Sequence, residues 1–188
     1  MEDSTSKPLS RTYGIPASRS GSVKNNESEI LLLKKRIRIL EERFQGYVYT
    51  ETAATIDIIN TSEWVDLPYT GTLDDTSVGL EALTGKLGLK NISSKNYLVR
   101  VQATFDGVSL GPNEEMALRL VLNGTKINGA ECHATGTANG VIAKLNSYAL
   151  VWMEPNDEIW MQAANFTNSG DIDFERGKMV IYRLAGVN

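Results

Sequence analysis

Residues 97–105 read YLVRVQATF, and this stretch decides the fold class. Tyr97, Val99, Val101, Ala103 and Phe105 share one face, while Arg100, Gln102 and Thr104 share the other. That period of two belongs to a half-buried β-strand. Downstream, MALRLVLNGTKI (116–127) reads as two short strands around Asn123-Gly124, the strongest short hairpin signal. VIAKL (141–145), YALVWM (148–153), EIWMQAANF (158–166) and MVIYRL (179–184) supply further strands between Gly-, Asn- and Asp-rich turns. Upstream, ATIDII (54–59) and EWVDL (63–67) read the same way, and KLGLKN (86–91) more weakly. Roughly eight to ten strands without an intervening helical pattern predict a mainly β head over 47–188, an antiparallel β-sandwich or jelly roll.

The stretch before the head is different. ESEILLLKKRIRILEERFQG (27–46) repeats its apolar residues at helical spacing, and Gly46 is a natural helix stop. Residues 26–46 therefore predict a short helix. A lone helix of about four turns is marginal in water, so it needs a partner. Ile30, Leu33, Ile37, Leu40 and Phe44 fall at a, d, a, d, a of a heptad frame. Ile at a with Leu at d suits two strands. Arg36 at g and Glu41 at e match the Arg-apolar-x-x-apolar-Glu pattern of short trimeric coiled coils, and Leu32 and Ile39 widen the apolar surface. The trimer is the reading adopted, with packing of the helix on its own head as the alternative.

Residues 1–25 are Ser-rich and aperiodic, and alone cannot bury enough apolar surface to offset their ordering entropy. Small apolar islands nevertheless stand among cations. Leu9, Tyr13 and Ile15, with Lys7, Arg11 and Arg19, suit an extended arm laid across another protein. A flexible tail is the bland alternative.

Bulk properties narrow the function classes. The chain has 188 residues, 41% apolar content and a formal charge of −4, which argues against nucleic-acid binding. The single cysteine, Cys132, precludes an internal disulfide framework and fits a reducing compartment. The start, Met1-Glu-Asp-Ser, has no basic or apolar signal region, and no run reaches the ~18 apolar residues that span a bilayer. Assembly in a reducing cytosol, without membrane insertion, is expected. The sequons at Asn60, Asn91, Asn123 and Asn165 are read as turn and strand composition.

Candidate chemistry is thin. Cys132 and His133 are adjacent, so on a strand they point to opposite faces and cannot share a ligand or a proton. A zinc site lacks a second His or Cys. Asp74-Asp75, Glu114-Glu115 and Asp171-x-Asp173-x-Glu175 lack EF-hand spacing. TGTANG lacks the Lys and the following helix of a phosphate loop. Trp64, Trp152 and Trp160 are expected in the core or at a subunit interface. No catalytic residue, metal or cofactor is expected.

Over about half the chain, YLVRVQATF, ALRLVLNGTKI, SYALVWMEPNDEIWMQA and KMVIYRL resemble head domains of the tumour-necrosis-factor and complement-collagen superfamily. The resemblance implies a jelly roll that forms compact trimers, commonly on a trimeric stalk. Asn156-Asp157 stands where the family has a Gly-Asp turn. Tyr182 is the nearest equivalent of closing-strand aromatics that pack near the threefold axis. The receptor- and calcium-binding residues of the animal members have no counterparts here. Arm, short helix and head together resemble head-decoration, cement or head-fibre proteins of tailed bacteriophages. That resemblance implies a non-enzymatic homotrimer on the capsid exterior, bound to the major capsid protein. A receptor-binding fibre tip that takes a host-surface glycan is the alternative.

Overall fold

The computed structural model describes residues 26–36, 44–69, 72–73, 78–109, 111–136, 140 and 142–187. The chain divides into two units, Met1–Glu42 and Arg43–Asn188. Of the first, only a helix over 26–36 (α1) is described, and its Ile30, Leu31, Leu32 and Leu33 are all at least half exposed.

The second unit, the head, is built of β1 (Gln45–Thr50), β2 (Ala54–Ile56), β3 (Val65–Asp66), β4 (Thr72–Leu73), β5 (Leu80–Ala82), β6 (Gly88–Asn91), β7 (Asn96–Ser109), β8 (Glu114–Leu122), β9 (Thr125–Gly136), β10 (Ile142–Met153), β11 (Glu158–Asn165) and β12 (Ile172–Val187). Sheet I runs β10-β7-β12-β1-β4, with β2 also on β12. Sheet II runs β5-β6-β11-β8-β9, with β3 also on β11. All pairings are antiparallel. The two sheets enclose one core, and β9 and β10 meet at a corner where the buried Ser147 hydroxyl donates to the Ala130 carbonyl at 2.9 Å.

The alternation read in β7 holds: Tyr97, Val99, Val101, Ala103 and Phe105 are buried, and Arg100 and Gln102 are exposed. Phe105 stacks on Phe174 at 5.6 Å in the middle of the sandwich. Two glycines make room for these rings. A Cβ on Gly107 would stand 2.4 Å from Phe105, and one on Gly177 2.8 Å from Phe174. The Asn123-Gly124 hairpin is also present, with both residues at positive φ (49° and 82°), as a tight two-residue turn between twisted strands requires. Asn156, in the Gly-Asp position of the resembled family, adopts φ 70°, which Asn tolerates. Asp157 ties the two turns together, accepting from the Asn123 side chain at 2.6 Å and from the Glu154 N–H at 2.7 Å.

Several expectations change. Gly46 is not a helix stop; it lies inside β1, where a Cβ would come within 2.7 Å of Leu80 Cδ1. Phe44, expected on the helical seam, is 1% exposed in the head core and stacks on Tyr97 at 4.1 Å. The head thus starts before the boundary at 47 that the sequence suggests. VIAKL and YALVWM are one strand, β10.

The sequon asparagines Asn91 and Asn165 are fully buried loop clamps. Asn91 donates to the carbonyls of Lys95, Met153 and Glu154 and accepts from the Ser93 N–H and hydroxyl. Asn165 donates to Asn168 Oδ1 and the Gly170 carbonyl and accepts from the N–H groups of Thr167 and Asn168. Their amides are consumed in holding turns.

Candidate functional site: the outer face of sheet I

β10 alternates strictly. Ala143, Leu145, Ser147, Ala149 and Met153 point into the core, which sends Tyr148, Leu150 and Trp152 outward. They are 70%, 65% and 48% exposed. Trp152 is therefore not a core residue, as the unbroken apolar run ALVWM suggests. Both faces of this strand are apolar, so hydropathy alone cannot orient it.

Strand register extends the patch across the sheet. Trp152 pairs with Leu98 of β7. Leu150 pairs with Arg100, which pairs with Tyr182 of β12. Tyr148 pairs with Gln102, then Val180, then Tyr47 of β1. Tyr182 and Leu184 are 48% and 55% exposed. Between β1 and β12 lies a shallow cleft of about 280 Å³ lined by Gln45, Gly46, Tyr47, Lys178, Val180, Ile181 and Tyr182. Tyr47 stacks on Tyr49 at 5.1 Å and lies under the Lys178 ammonium at 4.7 Å. Farther along, the rows turn charged: Lys144, Asp106 and Arg176 lie in register. One end of the face is thus a band of large apolar side chains and the other is polar. Exposed apolar patches of this kind are where proteins meet partners, membranes or ligands.

The outer face of sheet II has another character, because its polar groups satisfy one another. Trp160 Nε1 and Gln162 Nε2 donate to Asp66 Oδ1 at 2.6 and 2.7 Å, and Lys86 reaches Asp66 Oδ2 at 2.9 Å. Burial pushes the Asp66 carboxyl up, but the hydrogen bonds from Gln162, Lys86 and Trp160 prevail and hold it below its usual range. Trp64 packs edge-on against Phe166 at 5.7 Å beneath the Arg119 guanidinium at 4.2 Å.

Cys132 turns toward the core, where burial pushes its thiol up and keeps it from being a reactive thiolate. His133 turns outward between Glu115 (Nδ1 to Oε1, 2.7 Å) and Glu131 (Nε2 to Oε1, 3.0 Å). The two residues occupy opposite faces of β9 and share no chemistry. Asp171 accepts from the Ile58 N–H at 3.0 Å and Asp173 from the Thr55 hydroxyl at 2.8 Å, so these carboxylates fasten β2 and the loop after it. Among the described residues no group of three or more His, Cys, Asp or Glu is placed to hold a metal ion.

The His133 clasp gives a pH dependence. The hydrogen bond to Glu131 raises the His133 pKa above its ordinary 6.5, against burial, with Glu115 adding to the rise. A raised folded-state pKa stabilises fully below about pH 6.5, and that contribution is lost as pH climbs through the folded value. Glu131 is held low, chiefly by the same hydrogen bond, so its own contribution disappears only in acid. At this partly exposed site the effect is at most ~1 kcal/mol. Thermal melts of the wild type and His133→Gln should differ by about 2–4 °C near pH 5.5 and converge near pH 8. A constant gap across that range would refute the clasp.

Of the sequence-predicted residues, Tyr182 lies on the apolar face and Phe44 in the core. Ile30, Leu33 and Arg36 lie exposed on α1. Ile37, Leu40 and Glu41, and the arm residues Lys7, Leu9, Arg11, Tyr13, Ile15 and Arg19, fall outside the described residues. Sequence reasoning misses Tyr148 and Leu150, although their i, i+2, i+4 spacing with Trp152, which it places in the core or at a subunit interface, is the signal of a second apolar face.

No protein-family model and no curated protein matches the chain. Among solved structures, the Eiger TNF of S. frugiperda superposes with a TM-score of 0.52 at 12% identity, covering 78% of this chain and 95% of that one. The head is a TNF-like jelly-roll sandwich. The PRD1 vertex protein P5 is similar at a TM-score of 0.46 and 12% identity, over 75% of this chain and 96% of that one. Among the described residues no helix is long and apolar enough to cross a membrane.

Proposed function

We propose that the chain is a non-enzymatic structural protein of a virion. In this reading it is a homotrimer that decorates or cements a phage capsid, gripping the major capsid protein with residues 1–25 and displaying the head outward. The observation that carries the trimer is the apolar band of sheet I, with Tyr148, Leu150, Trp152, Tyr182 and Leu184 each about half exposed or more. The exposed Ile30 and Leu33 of α1 supply a second unpartnered apolar surface. Two such surfaces in one chain support self-association. The capsid role rests on the likeness of arm, short helix and jelly-roll head to tailed-phage decoration proteins.

Sedimentation of the full chain should give the mass of three copies. Deleting residues 1–25 should leave that mass unchanged and abolish binding to purified capsids, since three arms on one trimer raise one another's effective concentration. Undiminished capsid binding by the truncated trimer overturns the anchor. Adsorption of the isolated trimer to host cells would instead mark the head as a receptor-binding tip.

A further inference from the structure

Arg100 sits within the apolar band, between Leu150 and Tyr182 in strand register and one row from Trp152 and Leu98. Its guanidinium forms no hydrogen bond or ion pair with the described residues. The band holds no acid to neutralise it. The outward positions of β10 here are Tyr148, Leu150 and Trp152, those of β12 are Val180 and Tyr182, and those of β1 are Gln45, Tyr47 and Tyr49. The first carboxylate on its own strand, Asp106, is six residues away, about 20 Å. An unpaired guanidinium cannot be buried in an apolar contact without a large penalty, so whatever covers this band must bring an anion.

Self-packing that laid the two Arg100 rows directly over each other would enclose like charges unpaired, so each Arg100 needs an acid from a different part of the partner's surface. A heterologous contact, in which a different part of the next copy covers the band, allows this and closes into a ring. At the rim of the same face, just beyond Trp152, stands Glu154. It is exposed, and its carboxylate forms no bond with the described residues. Its neighbours are engaged: Asp157 with Asn123, and Glu158 with Lys90 at 3.3 Å. Asp157 also fixes the Glu154 backbone, so the position of this carboxylate is set by the turn. Within one copy it lies just past the end of β10, four residues beyond Leu150, the partner of Arg100, and about 13 Å from it.

We propose that in the trimer Arg100 of each copy pairs with Glu154 of the next, giving a closed ring of three Arg–carboxylate forks that fixes the rotation between heads. A guanidinium suits this role because its planar donors match a carboxylate in one orientation. The inference rests on the trimeric reading above and names the polar contact within it.

The test is a charge swap in the full chain, with association followed by sedimentation over a range of concentrations. Arg100→Glu and Glu154→Arg should each weaken trimer formation at least tenfold, and the double variant should recover most of that loss. Arg100→Gln should weaken it less than Arg100→Glu and should lessen the salt dependence of assembly. Both single-variant sites are exposed, and an unchanged β-sheet circular dichroism spectrum verifies the fold. Single variants that assemble like the wild type, or a double variant no better than the weaker single, overturn the pairing while leaving the trimer standing. A wild-type chain that sediments as one copy overturns the trimer and the pairing together.

Discussion

A full-length chain carrying Leu150→Glu and Trp152→Glu is expected to sediment as a single copy, against three copies expected for the wild type, with its β-sheet spectrum intact. Both side chains point away from the core, and neither is among the groups that fill the sandwich. Their replacement therefore leaves intramolecular packing almost untouched. In an assembled face each would be a large apolar anchor, and such anchors contribute ~2 kcal/mol or more apiece. Two carboxylates enclosed there make the loss larger, so association should weaken by about a thousandfold, at ~1.4 kcal/mol per factor of ten. A double variant that still sediments with the wild type would show that this face is not the contact.

The second large effect is on the core. Phe105→Ala should lower the stability of the head by ~3–5 kcal/mol, which corresponds to a fall in Tm on the order of 10 °C. Phe105 and Phe174 are each at most 1% exposed and lie nearly parallel, with 8° between their planes, in a space cleared by Gly107 and Gly177. Neither side of the pair can collapse easily into the vacated volume, because both strands are central to sheet I. Urea unfolding followed by tryptophan fluorescence measures the change, and a loss under ~1 kcal/mol would mean the rings are not a packing centre.

Physical signals of different strength explain what the sequence made legible. β7, β11 and the Asn123-Gly124 hairpin stand out because one face of each strand is uniformly buried or because the turn demands residues that tolerate positive φ. β1 is hidden because Phe44 continues the spacing of the preceding apolar stripe and Gly46 resembles a helix stop. Only the contact with Leu80 and Leu89 reveals that this glycine serves close sheet packing. β4 and β5 span two or three residues each, too few to establish any period. The outward face of β10 is lost for the opposite reason: apolar residues on both sides of a strand leave no alternation to detect. His133 and Glu131, two apart on β9, carry a same-face signal in the sequence, whereas Glu115 joins them only through the β8–β9 register.

The placement of β12 has a consequence for how the head is made. This strand forms the middle of sheet I, between β7 on one side and β1 and β2 on the other, yet its residues follow those of all eleven other strands. On the ribosome, sheet II can be completed once β11 has emerged, while the halves of sheet I wait with their hydrogen-bonding edges open. Gln45 cannot meet Tyr182 until 136 intervening residues have been translated. A chain released before residue 172 lacks both the centre of the sheet and Tyr182 and Leu184. A prematurely terminated head is therefore left with β7 and β1 as unpaired sheet edges, the kind of edge that invites aggregation.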